Sequence, residues 1–145
     1  MPLVKSNVLG LIQPGDPLTT LEIVCRQLIP ATYSTDEHPV TPGSIIWTPP
    51  VTSSNSLEVN VFVESAGYYY YERADIIEDR AKELKAAFSE LFPGYTFAVW
   101  PTLVHAGWAA DYADPDFRGD LSMPAAVERA RQAMEAARRP PALRH

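Results

Sequence analysis

The sequence predicts an α/β fold: two β-α-β units that form one four-stranded mixed sheet with two helices on one face, followed by a C-terminal helix. Two patterns carry that expectation. Runs rich in β-branched and aromatic residues, at 2–9, 44–48, 57–65 and 95–100, are separated by apolar stripes of helical period at 18–28 and 77–91. The order is therefore strand, helix, strand, strand, helix, strand, and a helix between two strands joins them most simply as a parallel pair. Size agrees: 145 residues, 46% apolar and 21% charged, suit one domain with a core of its own. That domain is expected to span 1–145, with its core at 2–108, an acidic loop and helix at 109–139, and a tail at 140–145.

Each element has a local reason. The first strand ends at Gly10 and the turn cluster "QPGDP", where Asp16 can cap a helix that has Pro17 in its first turn. Leu18, Leu21, Val24, Cys25 and Leu28 then recur at helical spacing, and Pro30 is expected to stop the helix. "SIIWT" reads as the second strand, which Pro49 and Pro50 keep short. In "LEVNVFVES", Leu57, Val59, Val61 and Val63 alternate with polar or aromatic neighbours, so one face is apolar. After the connection "AGYYYY", Ile77, Ala81, Leu84, Phe88 and Leu91 line one side of a long helix that "FPG" ends. "YTFAVW" gives the fourth strand, up to Pro101. Ser122 can cap the last helix, where Met123, Val127, Ala130, Met134 and Ala137 form a thin seam suited to the sheet or to a neighbouring subunit.

Charge and composition exclude several functions. A net charge of -6 offers no basic stripe for nucleic acid. No apolar run approaches the roughly 18 residues of a membrane span, and the start lacks a signal-peptide layout. The single Cys25 has no partner for a disulfide within the chain and is expected to be packed, which favours a reducing, cytoplasmic setting. Asp111, Asp114, Asp116 and Asp120 lack the glycine and closing glutamate of a calcium loop, and paired-cysteine zinc spacings, glycine-rich phosphate loops and Gly-x-Ser-x-Gly elbows are absent, so no metal is assigned.

Three stretches, "MPLV", "HPVTPGSIIWT" and "YTFAVWPTLVHAGW", resemble in order and spacing the tautomerase superfamily, which includes 4-oxalocrotonate tautomerase and macrophage migration inhibitory factor. The resemblance implies a double-length β-α-β member, a homotrimer, no cofactor, and a small keto, enol or unsaturated acid as substrate. It also implies that Pro2, exposed by loss of Met1, is the catalytic acid-base. Burial disfavours an ammonium, so the secondary amine would move towards neutrality, where proton transfer is most effective. A retained Met1 would lock that nitrogen in an amide.

The chain departs from the family where its short members hold a substrate carboxylate with arginines. Those neighbourhoods here read Leu11-Ile12 and Gly43-Ser44. Arg73 is then the expected anion contact, with His38 and Tyr95 as hydrogen-bond donors and His105 and Trp108 shaping the pocket. The alternatives are a non-enzymatic oligomeric binding or assembly module, or a ring subunit in which the last helix is an exchanged arm.

Overall fold

A computed structural model describes residues 1–10, 12–52, 59–105 and 114–139. The strands are β1 (Leu3–Val8), β2 (Ile46–Trp47), β3 (Val51–Thr52), β4 (Val61–Tyr68) and β5 (Phe97–Val104). The helices are α1 (Leu21–Tyr33), α2 (Tyr71–Leu91) and α3 (Met123–Arg138). The sheet runs β2-β1-β4-β5, with β3 also paired to β1. β1 is parallel to β2 and β3, and β4 is parallel to β5. The two units meet antiparallel along β1 and β4, from Leu3 opposite Ala66 to Val8 opposite Val61. The doubled β-α-β arrangement expected from the sequence is thus present.

Both crossover helices cover the same face. Val4, Val8, Val61 and Val63 from the sheet are buried in one core with Val24, Leu28, Leu84 and Phe88 from the helices. The opposite face carries Lys5, Glu64 and an exposed Trp100, and has no helix over it among the described residues. α3 departs from expectation. It lies on α1 and α2 rather than on the sheet, as a third layer in which Ala126 and Ala130 are fully buried. Arg129 Nε reaches Gln27 Oε1 on α1 (2.9 Å), and Arg131 Nη2 reaches Glu90 Oε1 on α2 (3.0 Å).

Prolines end fewer elements than their positions suggest. α1 runs through Pro30 to Tyr33, because the Arg26 carbonyl that Pro30 leaves without an amide accepts from Gly43 N–H instead (2.8 Å). Pro101 lies inside β5. Thr96 and Val104 turn their carbonyls towards Val61 and Tyr69 (3.0 and 2.9 Å), so the nitrogen of Pro101, an odd-numbered residue, faces the open edge of the sheet. Pro49 and Pro50 interrupt the strand beside β1, but it resumes as β3 with Val51 opposite Asn7. β4 also reaches Tyr68, so Ala66–Tyr68 belong to the strand rather than to the connection. The segment 53–58, including the Leu57 part of the expected strand, lies outside the described residues, as do 106–113 and the tail.

Tyr33 joins the helices to the sheet. Its ring lies where a side chain on Gly67 would stand, since a Cβ there would come within 2.5 Å of Cδ1. The hydroxyl meets Ser65 Oγ (2.9 Å), accepts from Thr102 N–H and faces the Thr102 carbonyl (both 3.1 Å). Burial pushes the phenol up to about 12. An unfolded tyrosine ionises near about 10. The stability this site contributes is therefore complete below about pH 10 and is lost as pH rises towards 12, by roughly 2–3 kcal/mol in all. Tyr33→Phe is expected to cost about 1–2 kcal/mol at pH 7 and to flatten this alkaline decline in urea midpoints taken from pH 7 to 11. Equal alkaline slopes for variant and parent would contradict it.

Candidate functional site at the Pro2 end of the sheet

The antiparallel register places the start of β1 beside the ends of β4 and β5. Pro2, His38, Arg73 and His105 all belong to this end. Pro2 is buried, and its carbonyl accepts from Ile46 N–H (2.8 Å). While Met1 is attached, the Pro2 nitrogen is an amide without basicity.

Arg73 sits among these groups and is engaged by the main chain around it. It is 1% exposed. Nε donates to the Tyr33 carbonyl (2.7 Å), Nη1 to Tyr68 (3.0 Å) and Nη2 to His38 (3.1 Å), while the guanidinium lies 4.9 Å from the Tyr70 ring centre. It ties the end of α1, the end of β4 and the loop after α1 into one unit, which is a structural use of a planar fork. Seven residues on along α2, Arg80 Nη1 bonds the Ala31 and Ser34 carbonyls, so two arginines satisfy acceptors at the C-terminus of α1. Sequence reasoning missed that pairing. Its signal is the seven-residue spacing, which puts both arginines on one helix face.

His38 is fixed from several sides. Its Nδ1 is in close contact with the Glu72 carboxylate, its ring stacks on Tyr70 (3.4 Å between centres, 11°), and its N–H donates to Thr35 Oγ1 (2.9 Å). The bond from His38 holds the Glu72 carboxyl below its usual range. His105 is exposed and stacks on Tyr69 (4.0 Å, 21°). Trp108 lies outside the described residues. Tyr95 stands apart: it precedes β5 at the opposite end of the sheet, and its hydroxyl donates to Asp16 Oδ1 (2.6 Å). That bond raises its pKa. It does not join the residues gathered at the Pro2 end.

Two recesses flank this end. A cleft of about 720 Å³ between the loop after α1, the first turns of α2 and residues 119–122 is lined by Asp36, Glu37, Glu72, Arg80 and Asp120. A smaller hollow of about 230 Å³ on the open sheet face is lined by Leu3, Lys5, Glu64, Ala66, Trp100 and Thr102. No helix among the described residues is long and apolar enough to cross a membrane.

No protein-family model matches the sequence, and no curated protein matches it. Among solved structures, the crystal structure of Leishmania major MIF2 is similar at 17% identity and a TM-score of 0.33, over 77% of this chain and 97% of that one. At that identity and score, residue roles do not pass from one chain to the other.

Arg73→Met is expected to destabilise the fold by about 3 kcal/mol, since it leaves buried carbonyls without a donor at roughly 1–3 kcal/mol each, partly relieved by water. Arg73→Lys should recover only part of this, because an ammonium lacks the fork. Urea denaturation checks both. Unchanged stability in Arg73→Met would return Arg73 to the role of an anion contact.

Proposed function

We propose that the protein is a cofactor-independent, tautomerase-type isomerase in which Pro2, freed by removal of Met1, is the general acid-base. The observation that carries this reading is the position of Pro2: a buried proline at the head of a central strand, at the end of the sheet where His105 and the tyrosines that end β4 and lead into α2 gather. In the reaction, the Pro2 amine takes a proton from the carbon next to a carbonyl. The carbonyl oxygen receives a proton from a donor, and the keto form becomes the enol; the reverse path ketonises an enol. His105, exposed at this end and stacked on Tyr69, is the candidate donor. His38 faces Glu72 and Arg73 holds three carbonyls, so the substrate is a small keto, enol or unsaturated acid recognised with few cationic contacts.

The sheet face that no helix covers among the described residues, with Trp100 60% exposed, supports assembly into the homotrimer that the family resemblance implies. The same face favours a second reading, an oligomeric binding module in which Met1 stays in place and Pro2 is inert. Intact mass and enol ketonisation separate the two. The proposal expects loss of Met1, measurable turnover of a phenylenolpyruvate-like acid, and at least a hundredfold fall in kcat for Pro2→Ala. A purified chain that keeps Met1 and shows no turnover supports the binding module instead, and turnover unaffected by Pro2→Ala overturns the role of Pro2.

A further inference from the structure

We infer that Glu37, His38 and Glu72 form a binding site for one divalent first-row transition-metal cation at the rim of the large cleft. One nitrogen and two carboxylate donors from these residues lie within 4.8 Å of one another. Ligands around one zinc-sized ion, at about 2.0–2.2 Å from it, lie up to roughly 4 Å apart. A cation here would open the close His38–Glu72 contact, taking the place of the proton between them, and Glu37, exposed in the loop, would move in to complete the set. Glu37 and His38 come from the loop after α1, whereas Glu72 opens α2, so folding alone brings the set together.

Three further features suit a cation. The surroundings orient the ligands: His38 is stacked on Tyr70 and its carbonyl is held by Arg73 Nη2, while Thr35 Oγ1 accepts from His38 N–H and donates to Glu72 Oε1 (3.3 Å). Charge has the right sign, because Asp36 and Asp120 join the two glutamates in the cleft lining. Arg80, the arginine of that lining, already spends Nη1 on the Ala31 and Ser34 carbonyls. The cleft also leaves room for water in the remaining coordination positions. An imidazole nitrogen with two carboxylates favours Zn²⁺ or Mn²⁺ over Mg²⁺ and Ca²⁺, which prefer all-oxygen sets. The site needs none of the groups proposed for proton transfer at Pro2, so the two readings stand or fall separately.

The test uses the untagged full chain, stripped of metal with a chelator and titrated calorimetrically with ZnCl₂, MnCl₂ or MgCl₂. Expected are one Zn²⁺ per chain at micromolar affinity, Mg²⁺ bound at least a hundredfold more weakly, and a rise in Tm with Zn²⁺. Glu37→Gln should weaken Zn²⁺ at least tenfold while leaving the metal-free Tm unchanged, and this exposed-loop variant is decisive if His38→Gln or Glu72→Gln fails to fold. His105→Gln should bind Zn²⁺ as the parent does. The inference is overturned by no saturable Zn²⁺ binding below about 100 µM, by parental affinity in Glu37→Gln, or by loss of binding in His105→Gln.

Discussion

Three main-chain carbonyls, those of Tyr33, Tyr68 and His38, converge on the buried guanidinium of Arg73, and the arrangement of the Pro2 end follows from that convergence. A helix end, a strand end and a loop all present acceptors that water would otherwise have to satisfy, and one planar cation meets them together. The Tyr33 hydroxyl completes the junction by entering between β4 and β5 at Ser65 and Thr102. With Gly67 small enough to admit the ring, α1 is set against the sheet at a fixed height. Everything of chemical interest nearby, from the His38–Glu72 contact to the Tyr69–His105 stack, stands on this junction.

The two faces of the sheet have different fates. One is closed twice, first by α1 and α2 and then by α3 laid over both helices. The other carries Trp100 and Lys5 beside Glu64, with no helix over it among the described residues. α3 spends its apolar seam on α1 and α2 of its own chain.

What the sequence made legible is what burial imposes at short range. Val61 and Val63 alternate because one face of β4 is core, and Leu84, Phe88 and Leu91 recur because one side of α2 is. The prolines mislead because their effect depends on where the missing N–H would have pointed: for Pro30, towards a carbonyl that Gly43 takes, and for Pro101, towards the open edge. The main-chain bonds of Arg73 are hidden for a related reason. Its partners are backbone carbonyls up to 40 residues away, which leave no trace in side-chain chemistry. Tyr95 stands away from Pro2 because β1 and β4 pair antiparallel, which puts the residue before β5 at the opposite end of the sheet from the start of β1. The Glu37, His38 and Glu72 group is likewise invisible until α2 begins beside the loop after α1.

The proposed chemistry turns on a single nitrogen. In a peptide bond to Met1, the nitrogen of Pro2 has no proton to exchange; as a free secondary amine in a buried setting, it becomes a base whose charged form is disfavoured. The sharpest measurement is an NMR titration of the chain labelled with ¹⁵N-proline, following the Pro2 nitrogen from pH 5 to 10. Catalysis by Pro2 requires an amine resonance that titrates below the ordinary α-amino range of about 7.7–8.0. A Pro2 resonance at the amide position, unmoved across that range, would contradict it.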